Sequence, residues 1–192
     1  HNMNKLIFSY QQTCRLSDEQ FNMLHGQMEN AVGYAQTAYE KQYQTLYGFA
    51  YTPEDDEQYQ DVVTLAEKKR EQNPAALFVI GIGGSSLGTE AVESAIRGTS
   101  SCRCLQDIAF YCADTIDTQR THQLCAIAKR LLQEGREILV NIVSKSGTTT
   151  ETLINASIFI DILKTYRPDA YRDWIVITTD SGSPLDTYAR DN

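Results

Sequence analysis

Ser144-Lys145-Ser146-Gly147-Thr148-Thr149-Thr150-Glu151 is the stretch on which the fold of this 192-residue chain turns. Ahead of it runs Ile138-Leu139-Val140-Asn141-Ile142-Val143, short, apolar and rich in β-branched residues. Behind it Leu153, Ile154, Ala156, Ile158, Phe159 and Ile160 begin an apolar run of helical character. The order is strand, polar turn, helix. Thr148 and Glu151 stand at the capping-box spacing, which predicts a helix beginning at about Thr148, with Glu151 reaching back as its capping partner. Residues 144–150 hold five hydroxyls, one ammonium and one glycine, set against the unsatisfied amides and positive dipole end of that helix. Such a turn suits an oxyanion: amides and hydroxyls supply directional donors, Lys145 supplies charge, and Gly147 lets the backbone come close. The plainer reading is a Ser/Thr-rich turn ahead of a capped helix.

Outward from this turn, strands and helices alternate. Upstream, Ala76-Leu77-Phe78-Val79-Ile80 reads as a buried strand, followed by Gly81-Ile82-Gly83-Gly84-Ser85-Ser86-Leu87-Gly88 and a helix over about 89–97. A second strand, 108–113, ends at Asp114, and a helix over about 118–133 carries Leu124, Ile127, Ala128, Leu131 and Leu132 as its apolar stripe. Downstream, 174–179 is a fourth strand, ending at Asp180. Strands that are apolar throughout, separated by helix-length segments, predict an α/β fold: a three-layer αβα parallel sheet covered on both faces. Ligands in such folds bind off the carboxyl ends of the strands, the edge on which both polar turns fall.

An N-terminal helical segment precedes the sheet. Ser17 with Asp18 and Glu19 is an N-cap signal, and Phe21, Leu24, Met28, Val32, Ala35 and Tyr39 recur at helical spacing. His25 alternates with that stripe and is expected to pack there. Pro53, with Glu54, Asp55, Asp56 and Glu57, starts a second helix that ends in Lys68-Lys69-Arg70, a charge distribution that the helix dipole explains without a ligand. Tyr39, Tyr43, Tyr47, Phe49 and Tyr51 form an aromatic cluster of the kind that packs a helix against a core.

A net charge of −8 leaves no broad basic face for a nucleic-acid backbone or an anionic membrane, so the expected partner is a small molecule bound locally, with no nucleic acid and no membrane. The five cysteines, Cys14, Cys102, Cys104, Cys112 and Cys125, are odd in number and lack both a disulfide framework and a second zinc pair. They read as free thiols of a reducing cytoplasm, and neither metal nor cofactor is expected. No apolar run approaches membrane-spanning length. His1-Asn2-Met3 reads as a tag remnant ahead of an initiator methionine and is set apart from the fold.

Three functions compete for the glycine turn. A dinucleotide fingerprint needs a glycine where Ser86 stands, although Asp114 at the end of the next strand imitates the ribose-binding acid. A P-loop has its spacing in Gly83 and Gly88 but needs a lysine where Thr89 stands. The third is a sugar-phosphate site shared by the two turns, with Gly83 and Gly84 admitting the sugar, Ser85 donating to it, and 144–149 holding the phosphate.

The two motifs together, Gly81-Ile-Gly-Gly-Ser-Ser-Leu-Gly88 and Ser144-Lys-Ser-Gly-Thr-Thr-Thr-Glu151, resemble the N-terminal signature regions of the glucose-6-phosphate isomerase family, and the stretch Thr179-Asp180-Ser-Gly-Ser-Pro184-Leu185 is similar to it as well. The resemblance implies two sugar-isomerase (SIS) domains of flavodoxin-like build. It places an N-terminal helical segment over 4–74, packed on a first SIS domain over 75–192, with the second SIS domain and C-terminal part absent from this fragment. It further implies interconversion of glucose 6-phosphate and fructose 6-phosphate through a cis-enediol, in glycolysis and gluconeogenesis, by a cytoplasmic homodimer without cofactor. Carried over by position, Gly84 and Ser85 contact substrate, and Ser144, Lys145, Ser146, Gly147, Thr148 and Thr149 bind the phosphate. Ser86 carries no weight. Catalytic residues are expected downstream of Asn192, since His122 reads as solvated and Glu151 as a cap, so the chain alone is expected to bind without turnover. The rival is a non-catalytic SIS module that senses a phosphosugar.

Overall fold

The computed structural model describes residues 13, 15–45, 47–98 and 108–191, so the expectations for residues 1–3, Cys14, Cys102 and Cys104 lie outside the described residues. Two compact units divide the chain, 1–64 and 65–192.

In the first unit α1 (Asp18–Glu40) opens on a complete capping box: Ser17 Oγ accepts the Gln20 amide at 3.2 Å while Gln20 Oε1 accepts the Ser17 amide at 3.0 Å. The helix forms as its spacing predicts, yet only Ala38 along it is buried. Met28 and Val32 stand 58% and 60% exposed, and His25 is exposed beside the Phe21 ring rather than packed. Among the described residues of this unit, the short 3-10 turns that follow α1 leave its stripe uncovered. The aromatic cluster does assemble, with Tyr39 and Tyr43 edge-on to Tyr51 at 6.0 and 5.6 Å, and Tyr39, Tyr43, Tyr47 and Phe49 are exposed. Helix α2 (Asp56–Glu71) begins three residues after Pro53, which lies in the 3-10 turn Thr52–Glu54. Asp55 provides the reason: its Oδ1 accepts the Gln58 amide at 2.9 Å and its Oδ2 accepts the Tyr43 hydroxyl at 2.7 Å, so the cap falls there.

The second unit holds a four-stranded, wholly parallel sheet in the order β2-β1-β3-β4. Its strands are β1 (Ala76–Ile80), β2 (Ala109–Ala113), β3 (Ile138–Val143) and β4 (Ile175–Thr178), linked by α3 (Leu87–Arg97), α4 (Thr118–Gln133) and α5 (Thr150–Tyr166) and followed by α6 (Pro184–Asp191). This is the first part of the flavodoxin-like order, as the alternation of elements predicts. Helices α4 and α5 pack on each other and on the sheet, whereas right-handed crossovers send α3, whose connection runs the other way along the sheet, to the opposite face. Burial follows this division. Ile138, Val140 and Ile142 are fully buried in one core with Ala128, Phe159 and Leu163, while the alternate residues Leu139, Asn141 and Val143 are half-buried. Hence β3 is an alternating strand, not one buried on both faces.

Cys112, on β2, is 5% exposed, and burial, reinforced by Glu90 and Asp114, pushes its thiol up to about 12. A pKa raised on folding means that the stability due to the neutral thiol is complete below the unfolded value near 9 and is lost as pH rises from there towards 12. At pH 8 its thiolate fraction is on the order of 10⁻⁴, so iodoacetamide should leave the Cys112 peptide unmodified in the native chain and alkylate it in urea. Comparable labelling in both states would contradict this burial.

Candidate phosphate-binding site

β1 lies between β2 and β3, and the chain leaves β1 and β2 in opposite directions along the sheet. The carboxyl ends of β1 and β3 therefore flank the topological switch point, where loops on opposite faces diverge and leave a crevice. Ile80 pairs with Ile142, so the turn after β1 and the turn after β3 start side by side.

Gly81 is dictated by that closeness: a Cβ there would stand 2.9 Å from the Val143 carbonyl oxygen and 2.9 Å from Ser85 Cβ. The chain then forms a 3-10 turn over Gly83–Ser85. Gly83 has φ +56°, whereas Gly84 is exposed with open space where its Cβ would be. Ser85 is half-buried. Ser86, which the sequence reading passed over, is 1% exposed, and its hydroxyl donates to the Gly83 carbonyl at 3.3 Å. It holds the turn from beneath. Asp114, the candidate ribose-binding acid, lies 3.5 Å from Arg120, whose guanidinium also donates to the Cys112 carbonyl at 3.1 Å.

After β3 the hydroxyls bond one another. Ser144 is 2% exposed; its hydroxyl shares a hydrogen bond with that of Thr149 at 3.1 Å and accepts the Gly147 amide at 3.2 Å. Ser146 Oγ accepts the Thr148 amide at 3.2 Å and the Thr148 hydroxyl at 3.0 Å. Lys145 is exposed and, among the described residues, has no ion-pair partner. The expected capping box is not formed. Helix α5 starts at Thr150, its N-cap is Thr149, and no side chain caps it, because Thr148 is turned to Ser146 and Thr149 to Ser144. The first-turn amides are thus left to another acceptor, at the positive end of a 17-residue helix. No hydrogen bond joins this loop to the glycine turn among the described residues; the shared strand edge brings them together.

Gly147 has a different reason from the one expected. Its φ is +66°, and a Cβ would stand 2.7 Å from Ser183 Oγ and 2.8 Å from the Leu185 amide nitrogen. The start of α6 thus packs directly against Gly147. That segment was missed as a structural element, although Ser183-Pro184-Leu185-Asp186 carries the signal: a Ser N-cap, Pro at the first helical position and an acid two residues on. Ser183 Oγ accepts the Asp186 amide at 3.0 Å, and Asp186 Oδ2 accepts the Gly182 amide at 2.8 Å. Hydrogen bonds from Gly182 and Arg190 hold the Asp186 carboxyl below its usual range. Behind Gly147, between α5 and α6, lies a cavity of about 330 Å³ lined chiefly by Ile142, Leu153, Ile160, Leu185 and Tyr188; its apolar walls do not suit an anion. Glu151 and His122 are both exposed. Among the described residues no cluster of three His, Cys, Asp or Glu could hold a metal, and no helix is long and apolar enough to cross a membrane.

The Phosphoglucose isomerase family matches residues 68–181. A glucose-6-phosphate isomerase of Thermus thermophilus is 34% identical over 148 residues, 76% of this chain and 32% of that protein. The chain spans about a third of the length of this curated relative. Among solved structures, a hypothetical protein from Thermus thermophilus superposes with a TM-score of 0.62 at 30% identity, over 91% of this chain and 40% of the other. A glucose-6-phosphate isomerase from Chlamydia trachomatis superposes with a TM-score of 0.56 at 28% identity, over 81% and 28% of the two chains.

Proposed function

The chain belongs to the phosphoglucose isomerase family, and on that premise we propose that it supplies the sugar-phosphate-binding part of a glucose-6-phosphate isomerase, which interconverts glucose 6-phosphate and fructose 6-phosphate. The observation that carries the reading is the pair of adjacent turns at the β1/β3 switch point: one open at Gly84, the other ending in an uncapped helix N-terminus beside Lys145. Ser144, Lys145, Ser146, Gly147, Thr148 and Thr149 receive the phosphate, while Gly84 and Ser85 meet the sugar. Proton transfer between the first two carbons needs a positioned base near neutral pKa. Glu151 and His122, both exposed, are not held at either turn. Neither is read as that base, and on this reading the chain binds sugar phosphate without isomerising it. In the working enzyme the chain forms part of a cytoplasmic homodimer.

Titration calorimetry with fructose 6-phosphate and with inorganic phosphate tests the assignment. Lys145→Ala combined with Thr149→Ala removes the loop's one cation and the hydroxyl that meets Ser144, and should weaken both ligands by at least roughly tenfold. Absence of binding by the parent chain, or binding that survives the double substitution, would overturn it. The reading as a phosphosugar-sensing module separates on turnover: once the rest of the protein is supplied, a sensor binds and does not isomerise.

A further inference from the structure

The backbone of the 144–149 loop is held by the segment that follows β4. Ser144 donates its amide to the Thr178 carbonyl at 3.0 Å. The Thr179 hydroxyl donates to the Ser144 carbonyl at 2.7 Å and lies 3.4 Å from the Lys145 carbonyl, which accepts the Asp180 amide at 3.2 Å. Thr179 Oγ1 and Ser183 Oγ are 2.8 Å apart, and Ser183 Oγ accepts the Asp186 amide. With one proton per hydroxyl, these bonds run in a single direction: Asp186 amide to Ser183, Ser183 to Thr179, Thr179 to the Ser144 carbonyl. Ser183 also fills the space that a side chain on Gly147 would need. The loop is thus gripped at two points, at its first carbonyl and at its glycine.

We propose that Thr179, backed by Ser183, is the positioning residue of the anion loop, fixing the Ser144 and Lys145 carbonyls so that the loop's hydroxyls and the first amides of α5 are in place before a phosphate arrives. The inference rests on the reading of 144–149 as the phosphate loop. Ordering those residues only on binding would cost affinity, whereas a loop ordered in advance avoids that cost. A valine at 179 keeps the volume and β-branching of threonine and removes both the bond to the Ser144 carbonyl and the acceptor of the Ser183 hydroxyl. A serine keeps the bond.

The test compares the parent chain with Thr179→Val, Thr179→Ser and Ser183→Ala by two readouts, hydrogen exchange at the Gly147 amide without ligand and the Kd for inorganic phosphate. Thr179→Val should speed exchange at Gly147 and weaken phosphate by roughly tenfold each, and Thr179→Ser should restore both to within about twofold, with thermal melting little changed. Ser183→Ala, which leaves the Thr179 bond to Ser144 in place, should shift both readouts in the same direction by less. Should Thr179→Val fail to fold, Ser183→Ala against Thr179→Ser decides alone. Unchanged Gly147 exchange in Thr179→Val and in Ser183→Ala overturns the proposal whatever the affinities. A parent that binds phosphate and a valine variant that binds it equally well also overturns it, while leaving the site in place. A parent that binds neither phosphate nor fructose 6-phosphate overturns the site itself, and the positioning role with it.

Discussion

Gly147→Ala is expected to be among the most damaging single changes in the sheet unit. Two costs add. The φ of +66° lies in the left-handed region, where a Cβ costs about 1–2 kcal/mol. The new methyl would also meet Ser183 Oγ at 2.7 Å, the Leu185 amide nitrogen at 2.8 Å and Ser183 Cβ at 2.9 Å. The Leu185 nitrogen is backbone inside α6, and Ser183 is tied to Thr179 and Asp186, so neither yields cheaply; overpacking of this kind adds about 1–3 kcal/mol. Gly83→Ala is the control: its φ is +56° with open space at the Cβ position, so only the left-handed cost of about 1–2 kcal/mol applies. Urea melts with an unchanged m-value measure both changes. Equal losses for the two variants would mean that the α6 start gives way at Gly147.

Phe159→Ala should cost about 3–5 kcal/mol, the range for emptying a buried aromatic site. Phe159 is 0% exposed on α5, and its ring centroid lies 5.1 Å from that of Phe78 on β1, which itself stacks on Tyr111 of β2 at 4.9 Å. One ring thus joins the helix that carries the anion loop to the strand that carries the glycine turn. Its neighbours Val140 and Leu163 are also at 0% exposure, so the surrounding side chains have little room to collapse into the space. Ile154→Ala on the same helix, 43% exposed, should change stability by no more than about 0.5 kcal/mol. A loss below about 1.5 kcal/mol for Phe159→Ala would show that the helix is not anchored through this ring.

The parts of the site that were legible in the sequence are those that depend on near neighbours. The strand at 138–143, the hydroxyl-rich turn and the apolar helix after it form a continuous pattern, and the structure has them in that order. The helix over 118–133 matches to the residue, because Asp117 caps it and its apolar stripe is uninterrupted. The start of α5 was misplaced by two residues for a reason that spacing does not reveal: Thr148 and Glu151 stand at the right interval, but Ser146 captures the Thr148 hydroxyl and Ser144 captures that of Thr149. In a turn with five hydroxyls the competing acceptors are too many for one motif to decide.

By itself, the sequence determined the alternation of strands and helices, the parallel sheet, and the two polar turns at its carboxyl edge, because period, propensity and glycine content act within a few residues along the chain. Only the tertiary structure decided why Gly147 is glycine, that Thr179 and Ser183 stand behind the loop, and that the apolar stripe of α1 stays exposed. Each of these depends on atoms far along the chain, or on a packing layer that a helix's own residues cannot supply, and no local pattern records such distances.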